Sequence, residues 1–287
     1  MTSASVREAL DAAVDALAAA GVDDPRLDAE LLLGEAMGRE RSALVADAGA
    51  EVPASAGRAF GEMVRRRLRR EPVAYILGRK GFRRLELAVD SRVLVPRPET
   101  ELLVELALEL RPQRVLDVGT GSGAIALAVA DELPDAEVIA TDTSPAALEV
   151  ARANAQRLDL AERVRFVEGT VPDESNGFDL VLANLPYVAE RDWPSLQPDV
   201  TRYEPREALL AGPDGLDAYR ALIPECPLLF SRYATQRKGA LAVEVGEGQA
   251  GAVAELMGGA GFGPVETRRD LAGIERVVIG RSVKTGA

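Results

Sequence analysis

Residues 114–130 read RVLDVGTGSGAIALAVA. Val115, Leu116 and Val118 have the character of a buried strand. That strand runs straight into Gly119-Thr120-Gly121-Ser122-Gly123, and an apolar helical run follows from Ala124. Glycines at such a turn let backbone approach a ligand and accept φ values closed to other residues. A glycine turn with only a packing role is the plainer alternative, and a lone Gly-x-Gly pattern is weak evidence. A second feature supports the ligand reading. Val138–Asp142 is the next predicted strand, and Asp142 stands about 20 residues beyond the glycines, where a carboxylate can accept both hydroxyls of a ribose. Ser144 and Pro145 already supply the N-cap and first position of the following helix. Asp142 is therefore free for another task, and an adenosine-bearing cofactor is expected at Gly119, Thr120, Gly121, Ser122, Gly123 and Asp142.

Outward from this unit, strand and helix alternate. Strands are expected near 114–118, 137–141, 163–168, 179–183 and 239–245, and the closely spaced 265–268 and 275–279 suit an antiparallel pair at one edge. Such alternation argues an α/β fold with a mostly parallel, Rossmann-like sheet and helices on both faces. The first 70 residues carry no strand signal. Ser5-Val6-Arg7-Glu8 fits a capping box, followed by Val6, Leu10, Val14 and Leu17 at helical spacing. A second stripe through Leu27, Leu31, Leu32 and Met37 ends near Gly38, and a third helix carries Phe60, Met63, Val64 and Leu68. This is a small N-terminal helical bundle. Its last helix ends in the run Arg65-Arg66-Arg67-Leu68-Arg69-Arg70, either a docking patch or, the favoured reading, a solvated helix face. Between the two parts, Leu85, Leu87 and Val89 alternate with polar residues, and Val93 and Val95 follow Asp90-Ser91, predicting a β-hairpin turning there. The expected domains are residues 1–78, a β-hairpin linker at 79–96, and 97–287.

Composition narrows the chemistry. The chain of 287 residues is 47% hydrophobic and 28% charged, with net charge −12. That balance disfavours general binding to nucleic acid phosphates. No apolar run reaches the length of a membrane span and no signal-peptide pattern opens the chain. One cysteine, Cys226, allows no internal disulfide and fits a cytoplasmic location. With no histidine, there is no Ser-His-Asp triad, imidazole base or His-bearing zinc site.

The stretch FDLVLANLPY, Phe178–Tyr187, places Asn184-Leu185-Pro186-Tyr187 at the end of a strand, on the edge where ligands bind. Asn184 offers an acceptor and two donors, Pro186 stiffens the backbone and aims carbonyls, and Tyr187 can stack on a flat group. A planar –NH2 substrate suits such a set; a proline turn merely ending the strand is the bland alternative. A dinucleotide would bring an anionic pyrophosphate. S-adenosylmethionine brings cationic sulfonium and amino groups, which the acids at Asp117, Glu99 and Glu101 favour.

Asn184-Leu185-Pro186-Tyr187 resembles the Asn-Pro-Pro-Tyr motif of methyltransferases acting on planar amides or exocyclic amines. The wider chain is similar to the HemK/PrmC-like family of peptide chain release factor glutamine N5-methyltransferases. The similarity runs through Ala74–Gly78, Val95-Pro96-Arg97-Pro98-Glu99-Thr100-Glu101, Asp117–Leu127, Tyr203-Glu204-Pro205, Asp214-Gly215-Leu216, Glu244-Val245-Gly246 and Asp270–Gly273. It implies a class I S-adenosylmethionine-dependent methyltransferase fold, with the cofactor on Gly119–Gly123, Asp142 and Asn184. It also implies that Asn184, Leu185, Pro186 and Tyr187 hold the glutamine of the Gly-Gly-Gln motif of class 1 release factors, with Asn184, Pro186 and Tyr187 catalytic. Because one loop glutamine offers little surface to grip, the helical bundle is expected to dock the substrate. Leu185 departs from the family's usual proline, and Gly169, Thr170 or Val171 stands where some relatives place an aromatic beside adenine. The same chemistry on a ribosomal-protein glutamine, or on an exocyclic amine of a nucleic acid base, is the nearest rival. A nicotinamide dehydrogenase would need another account of Asn184–Tyr187, and a non-catalytic interaction module would use the helical bundle.

Overall fold

The computed structural model describes residues 4–172, 177–230 and 239–282. The chain forms two compact units. One ends at Arg79 and also takes in Gln197–Tyr203, and the other begins at Lys80 and includes the rest of the described chain.

The first unit is helical: α1 Val6–Ala19, α2 Pro25–Met37, α3 Arg41–Ala46, α4 Ala54–Leu68 and α5 Val73–Leu77. The capping box closes α1, with the Glu8 amide donating to Ser5 Oγ at 3.3 Å and the Ser5 amide donating to Glu8 Oε2 at 2.8 Å. Val6, Leu10, Ala13 and Leu17 face the core of the unit. The stripe expected on α2 is rotated. Ala29, Leu32 and Leu33 are buried, whereas Leu27 is 38% exposed. The reason is polar: Asp28 and Glu30 also turn inward, Asp28 to Arg67 at 2.6 Å and Glu30 to Arg26 and Arg41 at 2.6 and 2.8 Å. Apolar spacing alone could not set the rotation of a helix that also buries two acids.

The arginine run is neither a uniform patch nor a solvated face. Arg67 reaches Asp28 and Asp199 Oδ2, the latter at 2.7 Å. Arg70 donates to Asp199 Oδ1 at 2.6 Å, to Gln197 Oε1 at 3.0 Å and to the Gly21 carbonyl. Arg66 pairs with Glu71 at 2.5 Å and reaches the Tyr75 and Ile76 carbonyls. Arg65 and Arg69 are exposed. The run thus gathers the C-terminal end of α4, the turn at Gly21 and the short helix α9, Pro198–Tyr203, into one unit. For orientation, the helices between are α6 Glu101–Leu110, α7 Ala124–Glu132 and α8 Pro145–Arg157.

β1 Arg79–Phe82 and β2 Leu85–Ala88 form the hairpin, which belongs to the second unit from Lys80 onward. Its turn lies at Arg83, φ 52°, and not at Asp90-Ser91 as the alternation suggested. Asp90 instead accepts the Arg92 amide at 3.0 Å, making a local loop turn that leaves Val93 and Val95 off the sheet, buried. Among the described residues the main sheet has seven strands: β3 Arg114–Val118, β4 Glu137–Asp142, β5 Val164–Glu168, β6 Leu180–Ala183, β7 Ala240–Glu244, β8 Phe262–Arg269 and β9 Glu275–Ser282. Their order is β5-β4-β3-β6-β7-β9-β8, parallel except where β9 pairs antiparallel with β7 and β8. Apolar side chains line both faces of the central strands, so residues Leu180–Ala183 of β6 are all buried. The order reverses between β3 and β6, which places the β3 and β6 carboxyl ends at the crevice where ligands bind in such sheets. No helix of the described residues is long and apolar enough to cross a membrane.

Candidate functional site

The glycine turn follows β3 as the alternation of elements predicts. Gly119 has φ 75° and Gly123, at the start of α7, has φ 85°, both in the region that favours glycine. A Cβ on Gly123 would also meet Leu127 at 2.9 Å, so glycine here lets α7 pack close. The amides of Gly119 and Thr120 donate to the Thr141 carbonyl, each at 2.9 Å, which pins the turn to the end of β4. Asp142 then crosses to the turn. One carboxylate oxygen accepts the Gly121 amide and the other the Ser144 amide, both at 2.9 Å. A carboxylate has about four acceptor positions, so further hydroxyls can still be accepted.

Beneath the turn, Asp117 is fully buried. Its Oδ2 accepts from the Thr120 hydroxyl at 2.6 Å and the Ala126 amide at 3.1 Å, while Oδ1 has no hydrogen-bond partner among the described residues. Burial pushes this carboxyl up to about 7 against the lowering effect of those two donors.

Gly119, Thr120, Gly121, Ser122, Asp142, Asn184, Leu185 and Pro186 line a single cavity. Gly123 and Tyr187 do not. Gly123 sits behind the turn, and Tyr187 lies beside Glu244 and Gly246, its phenol pushed up to about 12 by burial and then by Glu244. The peptide after Pro186 is held from behind: Gln249 Nε2 donates to the Tyr187 carbonyl at 2.9 Å, and a Cβ on Gly215 would collide with that carbonyl. Leu185 is 8% exposed and packs against Gly119, so the residue replacing the expected proline fills a space under the turn. Of the three residues after β5, Gly169 and Thr170 line the cavity, whereas Val171 packs into the core beneath.

Asn184 is anchored through its nitrogen. Nδ2 donates to the Thr100 hydroxyl at 3.0 Å, which leaves Oδ1 as an acceptor. Thr100 ends the Pro98–Thr100 turn, and the segment before it is fixed by buried Glu204, which accepts the Val95 amide at 3.2 Å and pairs with Arg97 at 2.5 Å. Thr100, Pro96, Pro205 and Glu207 therefore join the cavity wall, and spacing alone had not marked them. Thr100, Pro96 and Pro205 were signalled only by membership of the Val95–Glu101 and Tyr203–Pro205 blocks, and Glu207 by nothing in the sequence. Cys226 is buried and its thiol pushed up to about 12 by burial, so it offers no nucleophile.

What the donors and acceptors fit is an adenosine-bearing, positively charged donor. The glycine turn leaves room for backbone approach, Asp142 has free acceptor positions, and Asp117 carries an orphaned oxygen below the turn. Comparison with known proteins agrees. Residues 8–78 match the family model of the PrmC N-terminal domain, and residues 115–203 match a methyltransferase domain model. The release factor glutamine methyltransferase of Caulobacter vibrioides is 43% identical over 95% of this chain and 95% of its own length. That of Moorella thermoacetica is 46% identical over 88% and 89%. A solved methyltransferase from Pyrococcus furiosus has a TM-score of 0.51 at 19% identity, covering 69% of this chain and 90% of that one, a likeness of fold.

Proposed function

Because the chain belongs to the release factor glutamine methyltransferase family and is an S-adenosylmethionine-dependent methyltransferase, we propose that it methylates the side-chain N5 of the glutamine in the Gly-Gly-Gln motif of class 1 release factors. The observation that carries this reading is the anchored amide of Asn184: with Nδ2 on Thr100, Oδ1 is the atom left to receive a substrate N–H.

S-adenosylmethionine supplies the electrophilic methyl group, with a neutral thioether as leaving group. Gly119–Ser122 and Asp142 bind it, Asp142 through the ribose hydroxyls. A glutamine nitrogen is a poor nucleophile because its lone pair is delocalised into the carbonyl. Asn184 Oδ1 and a carbonyl of the Leu185–Pro186 backbone accept the two amide hydrogens. They orient the nitrogen and favour the positive charge that develops on it. Once the N–C bond has formed, the extra proton departs to water. Pro186 keeps the acceptors in place, and Tyr187, held through its carbonyl by Gln249, steadies them from behind. The helical unit docks the release factor, because one loop glutamine gives little surface to recognise. We place the reaction in the cytoplasm, a reading supported by the single cysteine.

Incubation of purified class 1 release factors with the protein and labelled S-adenosylmethionine, followed by peptide mass spectrometry, should find one added methyl on the Gly-Gly-Gln glutamine. A label on another residue, or on ribosomal protein alone, overturns the assignment. Asp142→Ala should weaken binding of S-adenosylmethionine by about 1.5–3 kcal/mol in a calorimetric titration; unchanged affinity removes Asp142 from the ribose.

A further inference from the structure

Strands β6 and β7 run parallel with Ala183 opposite Val243. Asn184, the residue that leaves β6, and Glu244, the last residue of β7, are therefore neighbours at one end of the sheet. Glu244 is 1% exposed, and its Oε2 has no partner among the described residues. Such a group in a packed interior calls for an explanation. Between the two stands Thr100, which accepts from Asn184 at 3.0 Å and whose hydroxyl also acts on the Glu244 carboxyl, holding its pKa down.

A hydroxyl has one proton to give. An ionised carboxylate can only accept, so it draws the Thr100 proton to itself. The Thr100 oxygen then accepts from Asn184, and only the –NH2 side of that amide can donate. The chain of directions ends with Oδ1 facing the cavity. Rotating the amide by half a turn would present –NH2 there, which no substrate N–H can use. We infer that Glu244 is a positioning residue that acts through Thr100 to hold the Asn184 amide in the orientation that accepts from the substrate. This rests on the function proposed above.

The relay depends on the charge of Glu244. The groups facing it are Glu99 and Thr100 of the Pro98–Thr100 turn, Arg97 before that turn, Arg276 on β9, Tyr187 after β6, and Tyr219 of helix Asp217–Leu222. Tyr219 donates to the Glu244 backbone carbonyl at 2.7 Å, leaving the carboxylate to the others. Burial pushes the carboxyl up to about 7; Thr100, Arg276 and Arg97 act downward and Glu99 upward. When protonated, Glu244 can donate to Thr100, whose own proton then turns to Asn184 Oδ1. The amide rotates and the acceptor is withdrawn. The reaction should therefore slow as pH falls through about 7.

The test uses the full chain as wild type, Thr100→Val and Thr100→Ser. Valine keeps the shape and removes the hydroxyl, and serine restores it. At saturating S-adenosylmethionine, Thr100→Val should lower the single-turnover rate on release factor by on the order of tenfold, as for one lost hydrogen bond. It should also lose the acid limb of the pH profile, and Thr100→Ser should recover both. Independently of any substrate, the Asn184 side-chain ¹⁵N amide signal, assigned by its loss in Asn184→Ala, should titrate in wild type and Thr100→Ser but not in Thr100→Val. A Thr100→Val protein with the wild-type rate and pH profile, or with an unchanged titration of that signal, overturns the relay. Failure of the wild type to methylate release factor would sink the functional reading alone, since the amide signal judges the relay without substrate.

Discussion

Arg67 in the helical unit and Glu244 in the methyltransferase unit are nearly equally hidden from water, 6% and 1% exposed. Their surroundings differ in kind. Arg67 sits between Asp28 and Asp199, at 2.6 and 2.7 Å, and donates to the Glu71 carbonyl at 3.1 Å. Burial opposes its charge, but the carboxylates outweigh burial and its pKa stands above the ordinary value. Glu244 and Asp117 each keep an oxygen without a partner among the described residues, and burial pushes both carboxyls up to about 7. A buried charge with its bonds complete is part of the framework, and breaking it strands its partners. A buried carboxylate left incomplete costs stability, and such groups collect where a ligand or reaction uses them.

The largest effect should come from breaking the complete cluster. Arg67→Ala strands the buried carboxylate of Asp28, while Asp199 keeps Arg70 at 2.6 Å, and should cost about 3–5 kcal/mol of unfolding free energy. Urea denaturation followed by circular dichroism measures it. Loss of less than about 1 kcal/mol would mean that water replaces the arginine and that its burial is not structural.

On the other side of the comparison, Asn184→Ala should leave stability and S-adenosylmethionine affinity nearly intact. It should slow methyl transfer by on the order of a hundredfold, as for removal of one preorganised polar group. Single-turnover kinetics decide this, and an unchanged rate would remove Asn184 from the mechanism.

These two regions also differ in how far sequence reveals them. The β3–α7 unit was legible because strand, glycine turn and helix are adjacent in the chain and each is locally determined. The same holds for the capping box at Ser5 and Glu8, which lie three residues apart. The mostly parallel sheet followed from the alternation and its antiparallel edge from the close spacing of the last two strands, but the order of the strands did not. Arg67 and Arg70 were not legible, since their partner Asp199 stands about 130 positions away and nothing local distinguishes a buried arginine from its exposed neighbour Arg69. The rotation of α2 was hidden for the same reason: Asp28 faces inward only because Arg67 is there. The hairpin turn was misplaced because the alternation of Leu85, Leu87 and Val89 continues past the end of β2, and only pairing tells where a strand stops. Thr100 entered the site through contact with Asn184 across 84 positions, which no spacing rule carries.

A smaller effect tests whether the incomplete carboxylates really burden the fold. Glu244 has its pKa raised from 4.5 to about 7 in the folded chain. Its stabilising contribution is therefore fully present below the unfolded value and is lost as pH rises through about 7. Glu244→Gln removes that dependence. The variant should match the wild type near pH 4.5 and exceed it by on the order of 1 kcal/mol at pH 8, from the pKa shift discounted for relaxation. Denaturation curves at several pH values would show the gap opening between those limits. A gap that stays constant would mean that Glu244 is protonated, or fully solvated, throughout.

The smallest effect separates residues within the arginine run itself. Arg66 is tied to Glu71 and to the Tyr75 and Ile76 carbonyls, while Arg69 is exposed and contributes its backbone carbonyl to the Tyr203 hydroxyl at 3.0 Å. Reversing charge at Arg66 places a carboxylate against Glu71 and two carbonyl oxygens, so Arg66→Glu should lower stability and would confound any reading of docking. Arg69→Glu disturbs no side-chain bond of the described residues that holds the unit together. It therefore reports on steering alone. If the helical unit docks an acidic surface of the release factor, Arg69→Glu should lower kcat/KM about two- to fivefold at low ionic strength and hardly at all at high salt, because exposed charges are screened within a Debye length. Thermal stability should stay within experimental error. A salt-independent loss would point to a direct contact at Arg69, and no loss at any ionic strength would leave the exposed end of the run without a part in recognition.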